Sequence, residues 1–199
     1  MSKLFAPLIG LLSVLFLGGC IYYTPKALRA QVYGAKVENK LVKVTARELT
    51  KPDLDFYFKH NLNSNRIRAV QVNIFNQAAQ PLSLDGRNID LELEDLGVVT
   101  PKLHYNTVGR VILWSLPGIF YWPFFLGAVA DGYNCWLQNR RVNEDLEQKI
   151  LTNNSKITIR PYASVNRVMF IREANYYNNF TLTFMKKDSK DPIELLINI

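Results

Sequence analysis

Val70-Gln71-Val72-Asn73-Ile74 sets a branched apolar residue at every second position with an amide side chain between each pair. Successive side chains of an extended strand point to opposite faces, so this stretch offers one face to a core and one to water. Asn76-Gln77-Ala78 and Pro81 break the run. The rhythm recurs on both sides of it. Upstream, Leu41, Val42 and Val44 lead a strand, and Phe56-Tyr57-Phe58 reads as a second. Downstream, Ile89, Leu91 and Leu93 alternate with Asp90, Glu92 and Glu94 after the turn signal Asp85-Gly86. Four further strands are expected around Ile157 and Ile159, around Val165, Val168 and Phe170, around Phe180, Leu182 and Phe184, and around Ile193, Leu195 and Ile197. Seven or eight short strands with no helices alternating between them predict a mainly β fold of antiparallel sheets packed as a sandwich.

One segment departs from this pattern. Between Arg110 and Asp131 lie twenty residues without a charge, Val111 to Ala130. That length suits a bilayer, but Leu116-Pro117-Gly118 and then Pro123 interrupt it, so a straight helix stops and restarts. The expected form is a helical hairpin inserted at about 107–151. One helix runs from about Thr107 to Leu116, and the second begins near Pro123. Gly127, Ala128 and Gly132 permit close packing in the apolar part of the second helix. Beyond Trp136 it turns amphipathic, with Arg140, Arg141, Glu144, Asp145, Glu147 and Lys149 giving a charged face, and Asn153-Asn154 ends it. Three occupants compete for the apolar segment: the core of the β domain, a membrane interface suited to Trp114, Tyr121 and Trp122, and a partner protein docking on aromatic anchors.

The amino-terminal end carries a different signal. Lys3 gives a positive start, Leu4 to Leu17 an uncharged run too short to span a bilayer comfortably, and Leu17-Gly18-Gly19-Cys20 a small-residue close. This sequence resembles the signal of bacterial lipoproteins. The resemblance implies cleavage between Gly19 and Cys20 and lipidation of Cys20, whose thiol takes a diacylglyceryl thioether and whose new amine takes a further fatty acyl chain such as palmitate. Each buried methylene contributes about 0.8 kcal/mol, so two or more chains anchor stably where one is marginal. An aspartate after the cysteine retains such proteins in the inner membrane. Here that place is Ile21, which implies the periplasmic side of the outer membrane, with the inner membrane as the alternative. The organisation expected is a cleaved signal at 1–19, a lipidated start and tether at 20–40, and a β domain at 41–199.

Composition narrows the rest. Loss of Lys3 with the signal takes the formal charge from +7 to +6, a mild excess that favours anionic head groups or an acidic partner. The basic residues form no long cluster, so nucleic acid is not an expected partner. With Cys20 lipidated, Cys135 stands alone, and it reads as a small buried apolar residue with no disulfide. His60 and His104 lack metal-ligand spacing, and no nucleophile elbow, phosphate loop or dinucleotide fingerprint occurs. Asp90, Glu92, Glu94 and Asp95 read as the wet side of a strand rather than an acid and base pair or a calcium site. Asn153-Asn154-Ser155 and Asn179-Phe180-Thr181 match glycosylation acceptors by chance. No catalysis, cofactor or metal is expected.

Taken with the strand pattern, the signal gives a chain that resembles small bacterial envelope lipoproteins holding an immunoglobulin-like β domain below a membrane on a short tether. The resemblance implies a non-catalytic component of an envelope assembly, such as one serving secretion or the cell surface, with other envelope proteins as partners. Cys20 is its attachment point, and Trp114, Phe120, Tyr121, Trp122, Phe124 and Phe125 are its apolar docking residues. The alternative is a lipoprotein that takes a lipid or other apolar ligand in a cavity lined by Ile112, Trp114, Phe120 and Phe125.

Overall fold

The computed structural model describes residues 23–29, 33–58, 66–118, 122–186 and 191–199. They fall into two compact units, each described by itself: His104–Glu144 with the residues up to Thr24, and Pro25–Leu103 with Asp145–Ile199.

The larger unit is mainly β, with nine strands among the described residues. One sheet has the order β1 (Ala35–Glu38), β2 (Val42–Glu48), β3 (Ile67–Asn76), β7 (Ser164–Arg172), β5 (Ile150–Leu151). The other runs β6 (Lys156–Ile159), β4 (Leu82–Ile89), β8 (Asn179–Lys186), β9 (Pro192–Asn198). All pairings are antiparallel except β5 with β7, which is parallel. Alternation decides which face goes inward. In β9, Ile193, Leu195 and Ile197 are buried while Pro192, Glu194, Leu196 and Asn198 are exposed. Val42, Val44, Val70, Val72 and Ile74 of one sheet join Leu82, Leu84, Phe180, Leu182 and Phe184 of the other in a single apolar core.

Strand β3 is buried on both faces at its centre. The face turned from the core carries Ala69 and Gln71, and it is covered in turn by α1 (Lys51–Phe58) and the stretch ending at Arg29. Phe58 meets Phe170 edge-on at 5.6 Å, Gln71 Nε2 donates to the Arg29 carbonyl at 3.0 Å, and the Arg29 N–H donates to Tyr57 Oη at 3.3 Å. Thus Phe56-Tyr57-Phe58, expected as a strand, is the last turn of a helix whose Leu54, Tyr57 and Phe58 pack on the sheet. The described part of 20–40, expected as a tether, holds the buried Tyr23, this Arg29 contact and strand β1.

Helix α1 starts where its caps dictate. Thr50 is the N-cap, and Asp53 reaches back to accept from the Thr50 N–H at 3.1 Å and hydroxyl at 2.8 Å. Arg47, near the end of β2, grips the same carboxylate with two bonds of 3.1 Å. Burial pushes the Asp53 pKa up, but the Thr50 and Arg47 bonds outweigh it and hold the group below the usual value. A carboxyl depressed on folding contributes stability above its unfolded value of about 3.9, and that contribution is lost as pH falls through the folded value. Asp53→Asn is therefore expected to lower stability by about 1 kcal/mol at neutral pH. Its denaturant midpoint should converge on that of the parent in acid; a gap independent of pH contradicts the assignment.

The expected strand through Ile89, Leu91 and Leu93 is also corrected. Regular pairing in β4 ends at Ile89. The Asp90 N–H then donates to Thr181 of β8, Leu93 bridges Ile171 of β7, and the Glu94 N–H donates to the Phe170 carbonyl. This segment therefore crosses from one sheet to the other, and Leu91 and Leu93 are buried along the crossing. The Asp85-Gly86 turn signal lies inside β4, at an irregularity in its pairing with β8. Helix α2 (Leu96–Leu103), which the pattern did not predict, follows from Asp95, whose carbonyl accepts from Val98 and Val99.

Candidate functional site

The smaller unit holds the hairpin, as α3 (Thr107–Gly118) and the first part of α4 (Pro123–Lys149). Asn106 caps α3, its Oδ1 accepting from the Gly109 N–H at 2.9 Å. Ser115 satisfies its hydroxyl within the helix, donating to the Val111 carbonyl at 2.8 Å. Gly132 of α4 sits where a Cβ would lie 2.8 Å from Val111 Cγ2, so the two helices approach through a glycine.

Each helix exposes an apolar stripe. On α3 it is Val108, Ile112, Leu113 and Leu116. On α4 and the turn before it, Trp122, Leu126, Val129, Tyr133 and Trp136 follow at spacings of four, three, four and three, with Phe125 beside them. These side chains are between 45% and 71% exposed. At the helical rise of about 1.5 Å per residue, the α4 stripe is about 21 Å long. Past it the exposed side changes to Arg140, Arg141 and Glu144.

The opposite side of α4 is buried and largely polar or small: Ala128, Asp131, Cys135 and Gln138. Gln138 Oε1 accepts from the Tyr23 N–H at 3.0 Å, and Tyr23 is itself buried. Asn139 clamps residue 105 from both sides, accepting from its N–H at 2.8 Å and donating to its carbonyl at 3.2 Å. His104 Nε2 lies 2.6 Å from Asn143 Oδ1, an amide oxygen that acts as acceptor. Thus the histidine orders the hairpin's base. A soluble amphipathic helix buries its apolar face and wets its polar one; here the first half of α4 is arranged the other way round.

Of the residues expected to dock, Trp122 and Phe125 are exposed on this surface. Trp114 and Phe124 belong to α3 and α4 by backbone, with side chains outside the described residues. Phe120 and Tyr121 lie outside the described residues, as do Gly19, Cys20 and His60. Ile112 is 56% exposed, which does not fit the lining of an enclosed ligand cavity. Sequence reasoning passed over Leu126, Val129, Tyr133 and Trp136, although their four-and-three spacing was there to be read.

A separate concavity of about 520 Å3 opens in the β unit beside Arg66, Lys102, Arg172 and Glu173. Its neighbours are ion pairs: Arg68 contacts Glu48 at 3.3 Å and Glu173 at 3.2 Å, and Arg172 pairs with Glu94. The Glu173 bond, with Glu48 beside it, raises the Arg68 pKa and keeps that group charged. The Arg68–Glu173 pair ties the start of β3 to the turn at Glu173–Asn175, and Arg172–Glu94 ties the end of β7 to the crossing segment. Among the described residues no three histidine, cysteine or carboxylate groups converge as a metal site, and no helix is long and apolar enough to cross a membrane. Comparison with known proteins finds no family model, no curated protein and no solved structure that matches this chain.

Proposed function

We propose that this chain is a non-catalytic bacterial envelope lipoprotein, cut before Cys20 and lipidated there. It is held on the periplasmic side of the outer membrane as a tethered structural or interaction component of an envelope assembly. The supporting observation is the ordered sequence of Lys3, the uncharged run Leu4 to Leu17 and the close Gly18-Gly19-Cys20. The fixing of Tyr23 on Gln138, three residues past the proposed first residue, supports the same reading, because packing begins almost at the cut. We further propose that the two sheets close as an immunoglobulin-like sandwich, a reading supported by their shared apolar core and antiparallel ladders. Confinement to a membrane surface raises the concentration at which the domain meets a membrane-bound partner without any new contact.

Cys20→Ala tests this directly. The variant is expected to lose all labelling by a fatty-acid probe in cells and to accumulate as uncut precursor. Labelling that persists, or a product of unchanged mobility, overturns the assignment.

A further inference from the structure

We infer that the hairpin of α3 and α4 is a second membrane contact, seated with its apolar stripes in the same leaflet that receives the lipid on Cys20. This rests on the lipoprotein reading for the lipid, and on the geometry of the hairpin for the insertion. Three observations carry it. The first is polarity: side chains facing out are apolar and aromatic, while Asp131 and Gln138 face in. That distribution suits surroundings that are themselves apolar, with polar groups turned to the protein interior.

The second is extent. Most of the uncharged run lies in two short arms, α3 of 12 residues spanning about 18 Å and an α4 stripe of about 21 Å that continues past Asp131 to Trp136. Each is shorter than a hydrocarbon core of about 30 Å, so the hairpin enters one leaflet and does not cross. Trp122 and Trp136 mark the two ends of the α4 stripe, Tyr133 lies one turn before the second, and Arg140 and Arg141 follow. Aromatic rings with polar tips settle at head-group depth, and the guanidinium groups beyond them meet anionic phosphates.

The third is attachment. Tyr23 is fastened to Gln138, half a turn past Trp136. Cys20 is three residues away, so its lipid leaves the chain within about 11 Å of Tyr23. That reach bounds how far the lipid leaves from the Trp136 end of the unit, with Gln138 on the side of α4 across from the stripe. Lipid chains alone hold the protein but leave it free to swivel; the hairpin fixes which side of its own unit faces the membrane.

The chain supplies its own probe. All three tryptophans, Trp114, Trp122 and Trp136, belong to the hairpin, so intrinsic emission reports on it and not on the β unit. The natural full-length product is reconstituted into vesicles of phosphatidylethanolamine and phosphatidylglycerol, with bromine placed at shallow or deep acyl positions. Emission is expected to shift to the blue and to lose more than about half its intensity with shallow bromine, less with deep bromine, as interfacial rings do. Leu126→Asp combined with Val129→Asp should abolish most of that quenching while the melting temperature changes little, because both side chains are exposed. Vesicle-bound protein whose tryptophans escape bromine and are instead reached by dissolved acrylamide overturns the inference. Tryptophans protected from both quenchers overturn it too, since a protein surface then covers the stripe. The mass of Cys20 is read on the same sample. An unmodified thiol with strong bromine quenching sinks the lipoprotein reading alone, and an acylated cysteine without quenching sinks the insertion alone.

Discussion

Asn76→Ala is expected to lower the stability of the β unit by roughly 3–5 kcal/mol, from lost and unsatisfied buried hydrogen bonds at about 1–3 kcal/mol each. Asn76 is fully buried at the end of β3. The two N–H groups of its Nδ2 are shared among the carbonyls of Gln80 at 2.8 Å, Ile159 at 3.0 Å and Arg160 at 3.1 Å, and its Oδ1 accepts from the Ala78 N–H at 2.9 Å. One amide thus joins the turn after β3 to the end of β6, which belongs to the other sheet. Truncation removes the donors and leaves carbonyls that water reaches poorly. For a domain of this size the melting temperature should fall by about 10 °C. Asn76→Asp separates chemistry from volume: it keeps the shape but turns a carboxylate oxygen toward three carbonyls, and it should be at least as harmful. An aspartate variant as stable as the parent would mean the donors contribute little.

The second large effect is expected at Gly86. A Cβ built there would lie 1.9 Å from the Thr152 carbonyl oxygen and 2.8 Å from its carbon, so the obstruction is backbone and cannot rotate away. The Gly86 N–H donates to the Ser155 carbonyl at 2.8 Å, which holds β4 against that turn. Gly86→Ala must push the turn away or break this bond, at about 3 kcal/mol. Gly97, in the exposed first turn of α2, has nothing within 4 Å of its virtual Cβ. Gly97→Ala should therefore stabilise by about 0.5–1 kcal/mol. Urea midpoints of the two variants moving in opposite directions is the expected result; a Gly86→Ala midpoint equal to the parent's would contradict the close approach at Gly86.

Alternation made the principal strands legible, because each of β3, β7, β8 and β9 has one face in the shared core. It misled at Phe56-Tyr57-Phe58, where three consecutive aromatics carry no period and the decisive signal lay upstream. Thr50 followed by Asp53 is a capping pair, and it starts a helix whatever the following residues prefer alone. At Leu91 and Leu93 alternation predicted burial correctly but not pairing, since a residue can be buried while its backbone passes between sheets. Strand β5 was illegible: two residues directly after Lys149 offer no pattern, and their parallel pairing to β7 is set by tertiary context. The hairpin was legible from its prolines and missing charges. Its inverted polarity was not, because knowing which side of α4 is buried requires the Tyr23 and Asn139 contacts made elsewhere in the fold.

The central ladder of the larger sheet joins Ile67 to Arg172 and Phe75 to Ser164, partners separated by 105 and 89 positions. Closing loops of that length slows collapse, so β-rich chains dominated by remote pairings fold in milliseconds to seconds rather than microseconds. Until residue 164 and those after it have emerged, the middle strand has no neighbour on one side and the core cannot shut. The polypeptide therefore stays open through most of its synthesis and is committed only by its last few dozen residues, a delay that leaves it threadable.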